Sequence, residues 1–307
     1  GSIVWSNNLG GGMNHTVSGN VSVVDGAEYT NTGATANTQE FGSLYIDSTS
    51  TFIASPAGTL ILTDEGAKGG TDYCVYIDTG GVFTHNSGTV TVEGARDDTM
   101  TEMVWRNSNP LYNLNAWLTA PCNNLLISNN EDATGIVIEN DLNVIASKTF
   151  KTFGGANSKP ILVSGQATIS GTLGGNNDES DWTFGGLDII GTYIAPTGIT
   201  YIYSSVNDGR VQNIFRLDPA GTFTHSNGTV HLKGGNWSAG DVKVTGSGSP
   251  VFYNFKSGYS YLQGGQMTFE GTQSSTGDGG GYVAMYGGPF IYGTATSSGV
   301  LDTSVGS

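Results

Sequence analysis

Two octapeptides, Phe83-Thr-His-Asn-Ser-Gly-Thr-Val90 and Phe223-Thr-His-Ser-Asn-Gly-Thr-Val230, stand 140 residues apart and anchor a likeness that spreads outward from both. Upstream, Val75-Tyr-Ile-Asp78 answers Phe215-Arg-Leu-Asp218, Phe41-Gly-Ser-Leu-Tyr-Ile46 answers Phe184-Gly-Gly-Leu-Asp-Ile189, and Val17-Ser-Gly19 answers Val163-Ser-Gly165. Downstream, Tyr112-Asn113 answers Tyr253-Asn254. The offset drifts from 146 to 140, as small insertions in surface turns would make it. Self-similarity on this scale predicts a repetitive structure. A third, partial copy is suggested at Gln266-Met-Thr-Phe-Glu-Gly271, which resembles Gln166-Ala-Thr-Ile-Ser-Gly171.

Short strand-like runs recur along the chain, among them Leu60-Ile-Leu62, Thr89-Val-Thr-Val92, Leu125-Leu-Ile127, Ile136-Val-Ile138 and Val242-Lys-Val244. Gly, Asn, Asp and Ser clusters separate them, the residues that turns require. The 48 glycines and the charged fraction of 12% suit many short strands joined by tight turns. Ordinary soluble domains carry roughly 25% charged residues. The copies also show which face points inward. Val90 and Val92 become Val230 and Leu232, whereas Thr91 and Glu93 become His231 and Lys233. Period-two alternation with one indifferent face describes a strand buried on its other side. Phe83 and Phe223 are expected in that core. The best helix candidate, Arg96 to Arg106, is short and reads as a loop or a single turn.

The expected fold is all-β, a right-handed parallel β-solenoid with an internal duplication, because residues 140 to 190 stay strand-like with no linker. The expected layout is one continuous solenoid over residues 1–270, with copies at about 17–162 and 163–260, followed by an irregular or capping β segment over 271–307. Tandem β-sandwich domains are the alternative, though each would be larger than usual.

The pattern Gly-x-Phe-Thr-His-x-x-Gly-Thr-Val at Gly81 to Val90 and Gly221 to Val230, with its later Tyr-Asn pair, resembles repeats in large Gly/Thr/Asn-rich β-helical proteins. Such repeats occur among structural proteins of tailed bacteriophages, notably marine ones, and among bacterial surface and adhesin-like proteins. The resemblance implies a β-solenoid on a particle or cell surface and implies no reaction.

Composition narrows the partners. A net charge of −15, with 11 basic residues scattered singly, opposes nucleic-acid binding. No run of 18 apolar residues spans a membrane. The start, Gly1-Ser-Ile-Val-Trp5, carries no basic region, which suits a processed or trimmed piece or a chain that uses no secretion signal. Cys74 aligns with Ile214, so a packed free thiol is expected there rather than a bridge to Cys122.

No catalytic, cofactor-binding or metal-ligating residue is nominated. His85 and His225 recur, yet each precedes a turn and lacks a second ligand at metal spacing, so both read as turn-stabilising. His15 and His231 suggest no site. Asp97-Asp98 are adjacent and point apart if extended, unlike a glycosidase pair. Asn176-Asn-Asp-Glu-Ser-Asp181 and Asn129-Asn-Glu-Asp132 read as solvated acidic turns rather than calcium loops. Trp105, Trp117, Trp182 and Trp237 could form a platform for sugar rings or fill the interior. The acceptor patterns at Asn14, Asn20, Asn227 and Asn236 are what chance gives in this composition.

These readings lead to a non-enzymatic virion structural protein of a tailed bacteriophage: a capsid decoration, appendage or tail fibre component. Its expected partners are other virion proteins or copies of itself, and host-surface glycans. The alternative is a carbohydrate-binding adhesin, or a tail spike with polysaccharide-depolymerising activity. The corresponding locations are the virion surface and the bacterial cell surface.

Overall fold

A computed structural model describes residues 14–31, 35–68, 71–94, 99–128, 135–152, 158–175, 178–203, 213–233, 242–245, 248–257, 260–264, 267–271, 273–275, 283–287 and 290–292. The described residues are all-β, with no helix among them, and the chain divides into two compact units, 1–153 and 154–307.

In the first unit, strand Thr38–Ile46 lies parallel to His15–Val23 and then passes its two halves to different neighbours. Thr38–Phe41 pairs with Thr59–Leu62, while Leu44–Ile46 pairs with Val75–Ile77. One column continues in parallel through Thr89–Val92, Asn113–Ala116 and Leu142–Val144. The other continues through Met100–Trp105, Asn124–Ser128 and Thr149–Thr152. A third column stacks Glu28–Thr30, Thr51–Ile53 and Val82–Thr84.

The second unit repeats this plan. Trp182–Ile189 lies beside Ile161–Ile169 and pairs its halves with Ile199–Tyr203 and Asn213–Leu217. Columns then run through Thr229–Lys233 and Asn254–Ser257, and through Val242–Thr245 and Ser260–Gly264. Of the segment after Gly271, Gln273–Ser275 and Val283–Gly287 extend these parallel ladders, and Phe290–Tyr292 pairs in parallel with Met267–Phe269 in a separate sheet. Gly66–Lys68 pairs antiparallel with Thr71–Tyr73. Parallel ladders are not those of an immunoglobulin-type sandwich, whose sheets are antiparallel.

Each long strand splits because it bends at glycine. The register slips between Val17 and Asn20 against Thr38–Ile46, and between Val163 and Gln166 against Trp182–Ile189. A Cβ on Gly42 would sit 2.9 Å from the Gly19 carbonyl oxygen, and one on Gly185 would sit 2.1 Å from that of Ser164. Any side chain there would force the stacked bends apart.

The columns place like above like. Phe41, Leu62, Val92, Ala116 and Val144 share one inward row, and Leu44, Val75, Met103 and Ile127 share another; all are at most 2% exposed. Aromatic rings stack where the third column turns inward. Phe52 lies between Tyr29 (4.7 Å) and Phe83 (5.7 Å), with interplanar angles of 8° and 3°. In the second unit Tyr193 stacks on Phe223 at 5.9 Å, and Phe252 on Phe269 at 5.7 Å. Such stacking adds about 0.5–1.5 kcal/mol per pair beyond area burial.

Val90, Val92, Val230 and Leu232 are buried as expected, and so is Phe83. Phe223 is half-buried, although its ring stays in the stack. The segment read as a loop contains strand Met100–Trp105, because Thr101, Met103 and Trp105 all turn inward on an extended backbone. Met267–Phe269 pairs with Val251–Phe252, as Ile138 bridges Leu111, so its counterpart is Ile136–Ile138 rather than Ala167–Ile169. Short matches mislead when every strand has the same composition.

Candidate functional site

The two octapeptides fold into the same tight turn. Asn86 and Ser87 adopt φ of 45° and 58°, and Ser226 and Asn227 adopt 48° and 59°. Two consecutive left-handed residues in each turn need bracing, since only Gly, Asn and Asp enter that region at low cost. The preceding imidazole supplies it. His85 Nδ1 accepts the backbone N–H of Ser87 at 2.9 Å, and His225 Nδ1 accepts that of Asn227 at 2.9 Å. The turn then closes through Gly88 N–H to the His85 carbonyl (2.7 Å) and Gly228 N–H to the His225 carbonyl (2.8 Å). A Cβ on Gly88 would meet the Gly58 carbonyl oxygen at 2.8 Å, and one on Gly228 would meet that of Pro196 at 2.2 Å. Only glycine fits between stacked turns.

Because Nδ1 accepts a hydrogen, the ring proton sits on Nε2 and points to a carboxylate. His85 Nε2 lies 3.1 Å from Glu139, and His225 Nε2 lies 3.2 Å from Glu270. A tyrosine covers each ring: Tyr112 stacks on His85 and Tyr253 on His225, both at 5.6 Å. The result is a His–Tyr–Glu clamp, built twice. Chemically it is spent. Nδ1 is committed to the backbone and cannot serve as a base, and Nε2 already has its acceptor. Glu139 and Glu270 are half exposed (48% and 50%), so water competes for this hydrogen bond and it contributes little beyond orientation. Sequence comparison finds the histidines and tyrosines but not the glutamates, because the spacing from histidine to glutamate differs between copies. Their signal is local: each follows the last residue of a core strand, Ile138 or Phe269.

The other candidates are dispersed. Asp178, read as solvated, is 2% exposed, and its Oδ1 accepts the Ser180 N–H at 2.9 Å. Asp181 Oδ1 accepts the Ile199 N–H at 2.7 Å. These acids brace turns, so the solvated reading is corrected for Asp178. Asp47 does the same. The Ser50 hydroxyl, with the N–H groups of Asp25 and Thr49, holds its carboxyl well below the usual carboxylate range. Trp105 and Trp182 are core residues at 1% and 0% exposure, their indole N–H groups donating to the Asn109 carbonyl and the Ser180 hydroxyl. They belong to no surface platform, whereas Trp117 is 49% exposed. Asp97-Asp98, Asn129–Asp132, Asn176-Asn177, Asn236 and Trp237 lie outside the described residues.

Cys74 and Cys122 are free and buried. Burial pushes the Cys74 thiol up to about 12, which leaves it protonated and unreactive near neutral pH. His15 Nδ1 lies 2.8 Å from the Tyr29 hydroxyl, beside a cavity of about 550 Å³ lined by Val17, Val21, Val23 and Phe41. Among the described residues no cluster of three His, Cys, Asp or Glu side chains could hold a metal ion, and no helix is long and apolar enough to cross a membrane.

No protein-family model, curated protein or solved structure matches the chain.

Proposed function

We propose that each unit is a right-handed parallel β-solenoid and that the chain is a structural component of a tailed-phage virion surface: a capsid decoration, appendage or fibre. The observation that carries this reading is the like-over-like stacking within each unit. Aliphatic rows and aromatic rings repeat from strand to strand, and neighbouring strands satisfy one another's backbone groups. Such a body is rigid by construction. Its most reactive-looking side chains, His85 and His225, hold turns in shape rather than face a substrate. The exterior is dominated by uncharged polar residues, which keeps it hydrated while its properties change little with salt.

The expected partners are other virion proteins or further copies of the chain. Electron microscopy of intact particles, with an antibody raised against this chain, tests the proposal. Regular labelling of capsid or tail positions is the expected result. Detection solely as unassembled protein in lysates, with unlabelled particles, would overturn it.

A further inference from the structure

The duplication gives this chain an internal control: positions on the polar-reading face of one unit can be compared with the same positions in the other. On the sheet formed by Ile161–Ile169, Trp182–Ile189, Ile199–Tyr203, Thr229–Lys233 and Asn254–Ser257, the polar-reading row of the second unit is Leu162, Thr183, Tyr201, His231 (8% exposed) and Lys256 in strand register. The same row of the first unit reads Thr16, Glu40, Ile61, Thr91 and Asn115. One step along, Tyr203 stands where the first unit has Thr63. The first unit has isoleucine at the place of Tyr201 and threonine at those of His231 and Tyr203, so nothing in the fold requires aromatic residues there.

The second unit nevertheless builds an aromatic strip. Tyr201 lies 6.0 Å from Tyr203 and 5.4 Å from His231, with the rings tilted at 33° and 44°. Beside the strip is a groove of about 370 Å³ lined by Leu162, Val163, Ser164, Thr183, Gly185 and Tyr203. Leu162 and Tyr203 are each 37% exposed, which leaves apolar surface open to solvent beside the groove. Gly185 floors the groove because a side chain there would strike the Ser164 carbonyl. The charge also changes. Glu40 of the first unit becomes Thr183, and Asn115 becomes Lys256. Among the described residues lining the groove and strip none is acidic, in a chain of net charge −15.

We propose that this groove binds an acidic polysaccharide, a chain of uronate-type sugars lying across these five strands from Leu162 to Lys256. The Tyr203 and Tyr201 rings offer flat apolar faces to the C–H faces of pyranose rings. The Ser164 and Thr183 hydroxyls reach sugar hydroxyls, and Lys256 pairs with a carboxylate. This goes beyond the structural role above and does not depend on it.

The test is calorimetric titration of the intact chain with oligogalacturonate and with the same oligomer methyl-esterified. Saturable binding of the acid form and much weaker binding of the ester are expected. Replacing Tyr203 by its first-unit counterpart (Tyr203→Thr) is expected to weaken binding roughly tenfold. Lys256→Asn is expected to remove the preference for the acid form. Trp117→Ala, at an exposed aromatic of the first unit, is expected to leave binding unchanged. Leu162→Thr gives a second groove variant should Tyr203→Thr fail to fold. Absence of binding, equal binding of the ester, loss of binding in Trp117→Ala, or unchanged affinity in a folded groove variant would each overturn the proposal.

Discussion

The two units keep their interiors alike and let their exteriors diverge. On the first unit's outer face, side chains bond to one another along the column. Asn113 Nδ2 donates to Thr89 Oγ1 (3.1 Å), Asn115 Nδ2 to Thr91 Oγ1 (3.4 Å), and Asn143 Nδ2 to Asn115 Oδ1 (3.0 Å). The equivalent face of the second unit carries Tyr201, Tyr203 and His231. A second site diverges too. The first unit packs Tyr45 against Tyr76, sets Arg106 over the Tyr76 ring at 5.1 Å, and joins the Tyr45 hydroxyl to Asp78 at 2.9 Å. The second unit has Asp188, Arg216 and Asp218 at those positions, with Arg216 2.7 Å from Asp188 and 3.2 Å from Asp218. The scaffold fixes what points inward. What points outward is where any unit-specific chemistry resides.

The comparison breaks most visibly at the core. Phe83 is 3% exposed, whereas its counterpart Phe223 is half-buried. Phe83→Ala should cost about 3–5 kcal/mol, the usual range for emptying a buried aromatic site, and Phe223→Ala clearly less. Hydrogen exchange by mass spectrometry should show the first loss of protection in residues 14–94 and the second in residues 182–233. Equal costs would mean that the two stacks are sealed alike.

Much of this was legible in the sequence, and the reasons are physical. Val90, Val92, Val230 and Leu232 stay aliphatic while their neighbours vary, so the buried face announces itself. The recurring His-x-x-Gly spacing marks a turn because the histidine bonds two residues ahead, within reach of sequence reasoning. Lateral contacts were not legible. Thr91 and His231 sit on the polar-reading face yet are only 4% and 8% exposed, because strands stacked on either side cover them. Asp178 disappears in a similar way, inside a turn whose carbonyl is capped by Thr197 of a later loop. Trp105 and Trp182 look like surface anchors until their inward register is known. Burial by a neighbour tens of residues away leaves no local mark.

A smaller effect tests the feature both units share. His85→Ala and His225→Ala should each cost about 1 kcal/mol, since each removes one acceptor from a strained turn. The costs should agree closely, because both clamps have the same bond lengths and the same stacking distance. His85→Asn should recover part of the loss, as an asparagine carbonyl can accept the N–H two residues ahead. Denaturant titration of the three variants checks this. A large inequality between the alanine variants would show that one clamp has a second duty.

The finest contrast lies between the two kinds of exterior bonding. Arg216→Gln removes a pair whose arginine side chain is 35% exposed, so about 0.2–1 kcal/mol is expected, shrinking further as salt screens it. Asn115→Ala breaks a neutral ladder in which Asn115 is both donor and acceptor, and about 1 kcal/mol is expected with no salt dependence. Denaturation midpoints at low and high salt separate these cases. The Arg216 variant should converge on the parent as salt rises, while the Asn115 variant should keep its deficit. Convergence of both would mean that the asparagine ladder is held by nearby charge rather than by its own hydrogen bonds, and the two exteriors would then differ in composition but not in mechanism.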